Sequence, residues 1–289
     1  MKNVLGARPS PIAGQWYSAN ARRLAAEVDR YLDAAELPPL NGEVVAVVAP
    51  HAGHLYSGPV AGYAFAALRG LAPEVVVIVS PMHYPYAAPV LTTAHSAYQT
   101  PLGDVPVLQA AVEDLDRLLE QEVGYGLQPV ANDPEHSLEI ELPFLQRTLA
   151  GPFALVPVML RDQSQTAAHG LGQALARLTR ESPALAGKTV ILVASTDLSH
   201  FYSQPEAKAL DSVMLQRIEA FDPAGIIRAD ELGQGFACGR GALAAILWAA
   251  RELGADQARV VRHATSGDIT GDYDRVVGYG AAVITRNRN

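Results

Sequence analysis

Residues 43–58 read "EVVAVVAPHAGHLYSG", and the fold turns on how this stretch is parsed. Its first seven residues are almost continuously apolar and largely β-branched, the composition of a strand buried on both faces. Pro50, Gly53 and Gly58 then end the run and open a turn, and two histidines, His51 and His54, sit inside it. The layout recurs further along the chain. Residues 74–80, "EVVVIVS", run into "PMHYPY" with His83, and residues 188–195, "KTVILVAS", run into "TDLSHF" with Asp197 and His200.

Further strands are expected at 153–160, 258–264 and 276–285. Apolar residues at helical spacing predict helices over 21–35, 59–69, 104–121, 165–179, 205–220 and 239–253, with Gly70 and Gly254 as C-terminal stops. Strands alternating with helices define an α/β chain with a mainly parallel sheet flanked by helices. No Pro/Gly/Ser-rich linker divides it, so residues 1–289 are expected to form a single domain. In such sheets ligands gather beyond the carboxyl ends of the strands, where segments far apart in sequence meet.

Composition narrows the function classes. With 289 residues, 49% of them hydrophobic, the chain can bury a substantial core. The longest uncharged apolar stretch, Gly241–Ala250, is half of the roughly 20 residues a membrane span needs. No basic-then-apolar leader opens the chain, which makes the cytoplasm the expected compartment. One cysteine forbids an intrachain disulfide and agrees with a reducing location. The net charge is −8 with its 22 basic residues dispersed, so nucleic acid is not an expected partner. A small-molecule or peptide ligand is expected instead, and an apolar α/β chain of this size is a candidate homodimer.

His51, His83 and His200 all follow strands, and clustered imidazoles with a carboxylate or thiolate suit Fe(II), copper or zinc. Cys238, in "FACGRGAL", lies on the loop that opens the last long helix. There the helix dipole favours a thiolate, although a lone cysteine is also a common small core residue. In "PEHSLEIELPFLQ", residues 134–146, His136 and Glu139 share a face if the segment is helical, as a ligand pair or as hydrogen-bonded support. The plainer reading is a helix start whose glutamates favour the N-terminal dipole, shortened by Pro143. His95, His169 and His263 lack a strand-end setting and are read as structural or solvent-facing.

Seven strings, "SPIAGQWY", "APHAGHLYSG", "SPMHYP", "YQTPLGDV", "EHSLEIELPFL", "STDLSH" and "CGRGAL", resemble the MEMO family in this order, from about residue 8 to the C-terminus. Prokaryotic members are often called AmmeMemoRadiSam system protein B. The resemblance implies the fold of the class III extradiol dioxygenases of the LigB type, which use non-haem iron at the end of a mainly parallel sheet. It implies His51 and His83 as metal ligands, with Cys238 where the dioxygenases carry a carboxylate. It implies His200 for acid/base work beside Asp197. His54, Tyr56, His136, Glu139 and Arg240 are expected as supporting or pocket residues. A thiolate in the third position moves preference from iron toward copper or zinc. Met82 and Gly241 stand where many members carry other residues.

Three functions follow as expectations. The first is a metal-dependent dioxygenase or oxidoreductase of unknown substrate, holding Fe(II) or copper, with zinc as the further option. The second is a thiol hydrolase in which Cys238 attacks, His200 activates it and Asp197 orients the imidazole. The third is a non-catalytic module that captures a peptide or metabolite.

Overall fold

The computed structural model describes residues 4–287, and the two ends of the expected 1–289 domain lie outside them. The described residues contain twelve strands and nine α-helices. The strands are β1 Leu5–Arg8, β2 Glu43–Ala49, β3 Val75–Pro81, β4 Val90–Thr93, β5 His95–Thr100, β6 Gly103–Pro106, β7 Gln128–Val130, β8 Ala154–Leu160, β9 Val190–Ser195, β10 His200–Tyr202, β11 Gln257–Thr265 and β12 Val276–Arg286. The helices are α1 Ala21–Asp33, α2 His54–Ala66, α3 Gln109–Val123, α4 Leu142–Thr148, α5 Gln165–Glu181, α6 Gln204–Glu219, α7 Pro223–Glu231, α8 Arg240–Glu252 and α9 Gly267–Thr270.

Nine strands form one sheet in the order β10-β12-β2-β9-β3-β8-β4-β7, with β11 paired to β12. Its centre is the parallel set β2, β9, β3 and β8. These are the four continuously apolar runs of the sequence, and nearly every residue in them is buried, as strands covered on both faces must be. The last two expected strands, β11 and β12, are also present but run antiparallel, at one side of that core. β1, β5 and β6 form a separate three-stranded sheet.

The helices cover the sheet: α8 packs on β3, β9 and β2, α5 lies against α8, and α2 packs on β2 and β12. α1 approaches α2 closely because Gly58 and Gly62 face Tyr31. A Cβ on Gly62 would stand 2.5 Å from the Tyr31 carbonyl oxygen, so only glycine fits there.

Two expected helices are corrected. Residues 104–106 belong to β6, where Tyr98 pairs with Val105, and α3 begins only at Gln109, beyond Pro106. Strand pairing outweighed the helical spacing there. α2 begins at His54 rather than at residue 59, with Gly53 at its cap and Pro59 inside its second turn.

Candidate metal centre

β2, β9 and β3 lie side by side and parallel, with Ala49 level with Ser195 and Val79 level with Ala194. Their carboxyl ends therefore deliver His51, Ser195 to Asp197, and His83 to one place. Cys238 joins them from the start of α8. Gly239 lets it approach, since a Cβ at that position would stand 2.6 Å from the Ser195 carbonyl oxygen. The Gly239 amide donates to Thr196 Oγ1 at 2.9 Å, and the Cys238 amide donates to the Asp197 carbonyl at 3.2 Å. Gln163 holds the loop from the other side, donating to the Cys238 carbonyl at 2.6 Å and accepting from the Gly241 amide at 2.9 Å.

Of the expected trio, Cys238 and His83 each lie against His51, and the group able to hold a metal ion consists of His51, His83 and His136, without Cys238. Cys238 Sγ lies 3.1 Å from His51 Nε2, and the rings of His51 and His83 are 5.4 Å apart. His136 completes the cluster, since one ring nitrogen from each of His51, His83 and His136 lies within 4.8 Å of the others. His51 is buried at the base, His136 is partly buried, and His83 stands exposed at the mouth.

His83 and His51 each have an anchor on Nδ1. His83 Nδ1 donates to Glu135 Oε1 at 2.9 Å, and the His83 amide donates to Glu135 Oε2 at 2.6 Å. His51 Nδ1 lies 2.9 Å from Ser195 Oγ. Such anchoring of a ligand's second nitrogen is the usual support of a metal-bound histidine. Burial raises the Glu135 carboxyl, yet hydrogen bonds from His83 and from the Ser137 amide, with the nearby imidazoles, bring it down to about 2. Burial, then the mutual repulsion of the neighbouring imidazoles, drives His51 well below its usual range. Burial also brings His136 down to about 4. Neutral imidazoles are what a metal ion requires.

The expectation that helix α8 would favour a Cys238 thiolate is overturned. Burial first, and then the Asp197 carboxylate, push the thiol well above its usual range. The helix dipole is the weaker influence in this low-dielectric setting. The thiol that remains can donate its hydrogen to His51 Nε2 while its sulfur accepts the Asp197 amide at 3.3 Å.

The supporting residues divide. Asp197 Oδ1 accepts the His51 amide at 2.8 Å, and burial lifts this carboxyl to about 7. His200 donates through Nδ1 to the Leu198 carbonyl at 2.7 Å, between the rings of Phe201 and Phe236. The nucleophile, base and orienter order imagined for Cys238, His200 and Asp197 is not the arrangement found: His51 is the imidazole beside the thiol, and Asp197 braces the backbone of His51.

His54 turns away from the centre into the core, between Tyr17 and Phe144, with Nε2 3.1 Å from the Ile140 carbonyl. It opens α2, and the first helical turn directs it inward. Tyr56 is exposed on that same turn. Arg240 pairs with Asp230 at 2.7 Å, and Asp230 also accepts the Ala237 amide, which braces the cysteine loop.

His136 and Glu139 do not share a helix face. His136 precedes the helical turn that starts at Glu139, and its ring lies on Trp16, while Glu139 binds Arg8, Ser10 and Tyr17. His95 is structural, bonded to the Gly6 carbonyl and the Asn132 amide, and His263 pairs with Asp211 at 2.8 Å. Sequence reasoning passed over Glu135, Ser195 and Glu141, although each lies within a string that carried the resemblance.

A group of three imidazoles, from His51, His83 and His136, fits a transition metal. A family model described as "Memo-like protein" matches residues 8–283. A MEMO1 family protein of Methanococcoides burtonii is 35% identical over 277 residues, covering 96% of this chain and 99% of its own length. MEMO1 family proteins of Thermotoga maritima and Methanopyrus kandleri are 34% and 33% identical, each with the same two shares of coverage. At these levels, over nearly the whole chain, the sequence belongs to the Memo-like family.

Proposed function

We propose that this chain binds one redox-active transition metal through His51, His83 and Cys238 and acts as an oxidoreductase on a small molecule. The observation that carries the reading is the pair of imidazoles, His51 and His83, each anchored through Nδ1 by Ser195 or Glu135, with the Cys238 sulfur 3.1 Å from His51 Nε2. Iron(II) or copper is the preferred ion, with zinc the redox-silent alternative. When bound, the ion supplies a Lewis-acidic, redox-active centre for substrate and oxygen.

The chain's own groups supply the rest. His83 at the mouth meets the entering molecule first, and His136 lines the approach against Trp16. His200 keeps its Nε2 lone pair free, because Nδ1 is committed to Leu198, and takes a proton there. The kinship to the extradiol dioxygenase fold belongs to this same proposal.

Metal content and metal titration of protein purified without chelators test the reading. About one redox-active ion per chain in the parent, lost in His51→Ala and His83→Ala with the fold retained, is expected. Variants that bind as tightly as the parent overturn it. A metal-free protein inactivated by iodoacetamide in a hydrolysis assay would favour the thiol hydrolase instead, with His51 as the base.

A further inference from the structure

Ser195, at the end of β9, has three polar neighbours and one hydrogen to give them. Its Oγ lies 2.6 Å from the Ser137 carbonyl oxygen, 2.7 Å from Glu141 Oε1 and 2.9 Å from His51 Nδ1. A peptide carbonyl can only accept, so the serine hydrogen belongs to Ser137. The other two contacts must then bring their own hydrogens to the serine lone pairs. An ionised Glu141 would leave one of these short oxygen pairs without a proton, buried and repulsive.

We propose that Glu141 is a neutral positioning residue: its carboxylic acid donates to Ser195, and Ser195 in turn holds His51 as the Nδ1–H tautomer, with the Nε2 lone pair open toward Cys238. Nothing in the sequence marks Glu141 apart from its neighbours, and it touches none of the proposed ligands. It is wholly buried, and its Oε2 has no hydrogen-bond partner among the described residues, as fits an uncharged acid better than a carboxylate. Burial, with Asp197 nearby, favours the protonated form, against the pull of the Ser195 hydrogen bond.

The tautomer stands on hydrogen counting alone, whereas its use in holding a metal rests on the function proposed above. A histidine donating from Nδ1 presents Nε2 as an acceptor or ligand, and the partner on the far nitrogen sets which form exists. Here that partner is a hydroxyl backed by an acid, whereas His83 is held by the ionised Glu135. The two imidazoles thus have anchors of different charge, and the net negative charge on the site is smaller than its carboxyl groups suggest.

The test uses metal-free full-length protein. Nitrogen-15 NMR of the histidine side chains, with His51 assigned by its loss in His51→Gln, is expected to give the Nδ1–H form at neutral pH. The infrared difference between parent and Glu141→Gln is expected to contain the carbonyl stretch of a protonated carboxylic acid. Glu141→Gln, which can still donate to Ser195, is expected to keep the tautomer and metal affinity within about twofold. Ser195→Ala is expected to release the tautomer and to weaken metal binding about 10–100-fold, the usual cost of losing a ligand's support.

An Nε2–H His51 in the parent, or no protonated-acid band, overturns the inference. So does a Ser195→Ala protein with unchanged tautomer and affinity. If Ser195→Ala does not fold, the two parent spectra still decide. A parent that binds no metal but has the expected tautomer and acid band overturns the metal reading and leaves the Glu141 assignment standing.

Discussion

Cys238 Sγ and His51 Nε2 lie 3.1 Å apart although 187 positions separate them in the chain. The contact is a thiol donating to a neutral imidazole, since burial holds the proton on sulfur and off the ring. Any ion that enters must displace that one proton. The thiol is therefore expected to label slowly with iodoacetamide in metal-free protein, and more slowly still with Zn(II) or Cu(I) present. Cys238→Ser is expected to lower metal affinity by more than about 100-fold, beyond the range for a supporting residue. Labelling rates that ignore metal, with unchanged affinity in the serine variant, remove Cys238 from the site.

Glu135 is the support of His83, and it receives the His83 side chain and backbone as well as the amides of His136 and Ser137. Glu135→Gln removes the charge that holds the His83 ring while keeping its size. Metal affinity is expected to fall about 10–100-fold with little loss of secondary structure. Isothermal titration beside circular dichroism checks this, and equal affinities would mean that His83 needs no such anchor.

The strands that build the site were legible because burial on both faces leaves a continuous apolar run, and β2, β3, β8 and β9 all carry one. His51 and His83 were legible because parallel strands end at one edge. The environment of each group was not. Cys238 lies one residue before the cap of α8, and local reading favours a thiolate there; only the packing of Gly239 against Ser195 reveals that the sulfur sits against His51 and the Asp197 amide. His54 and His51 looked equivalent in "APHAGH", yet the start of α2 between them turns one into the core. β1, β4, β5, β6, β7 and β10 were missed because strands so short show no clear period.

His54 sets a pH dependence. Burial brings its imidazole down to about 4, and its Nδ1 has no hydrogen-bond partner among the described residues. A folded-state value below the unfolded one means that the unfolded chain takes up the proton first as pH falls. Stability is therefore full above about 6.5 and is lost as pH drops toward about 4, by roughly 3 kcal/mol from this group. Urea denaturation across this window is expected to show a shallower slope for His54→Phe than for the parent, by about one proton. His51, His136 and His200 keep the remaining slope in both proteins, because burial lowers them as well. Parallel slopes would show that His54 is charged or solvated in the folded state.

Arg8 ties the first strand to the loop that carries Glu135 and His136. Its side chain is 1% exposed and bonds Asp133 through Nε at 3.0 Å and Nη2 at 2.9 Å, Glu139 through Nη1, and the backbone carbonyls of Asp133 and Glu135 at 2.9 and 2.8 Å. Its guanidinium also lies over the Tyr98 ring. Two carboxylates and two carbonyls in the interior thus depend on one cation, and removing it leaves them uncompensated. Arg8→Met is expected to destabilise the fold by about 3–5 kcal/mol, far more than a surface pair of the same charges. Arg8→Lys is expected to recover only part, because an ammonium cannot match the forked contacts to Asp133 and Glu139 together. Adding Glu139→Gln to Arg8→Met is expected to restore some stability by removing one stranded charge. Chemical denaturation of the four proteins measures this, and metal titration beside it is expected to show weaker binding in Arg8→Met, since the loop that positions Glu135 loses its main tie. A loss below about 1 kcal/mol in Arg8→Met would mean that the carboxylates are neutral or hydrated and that the cation is not their support.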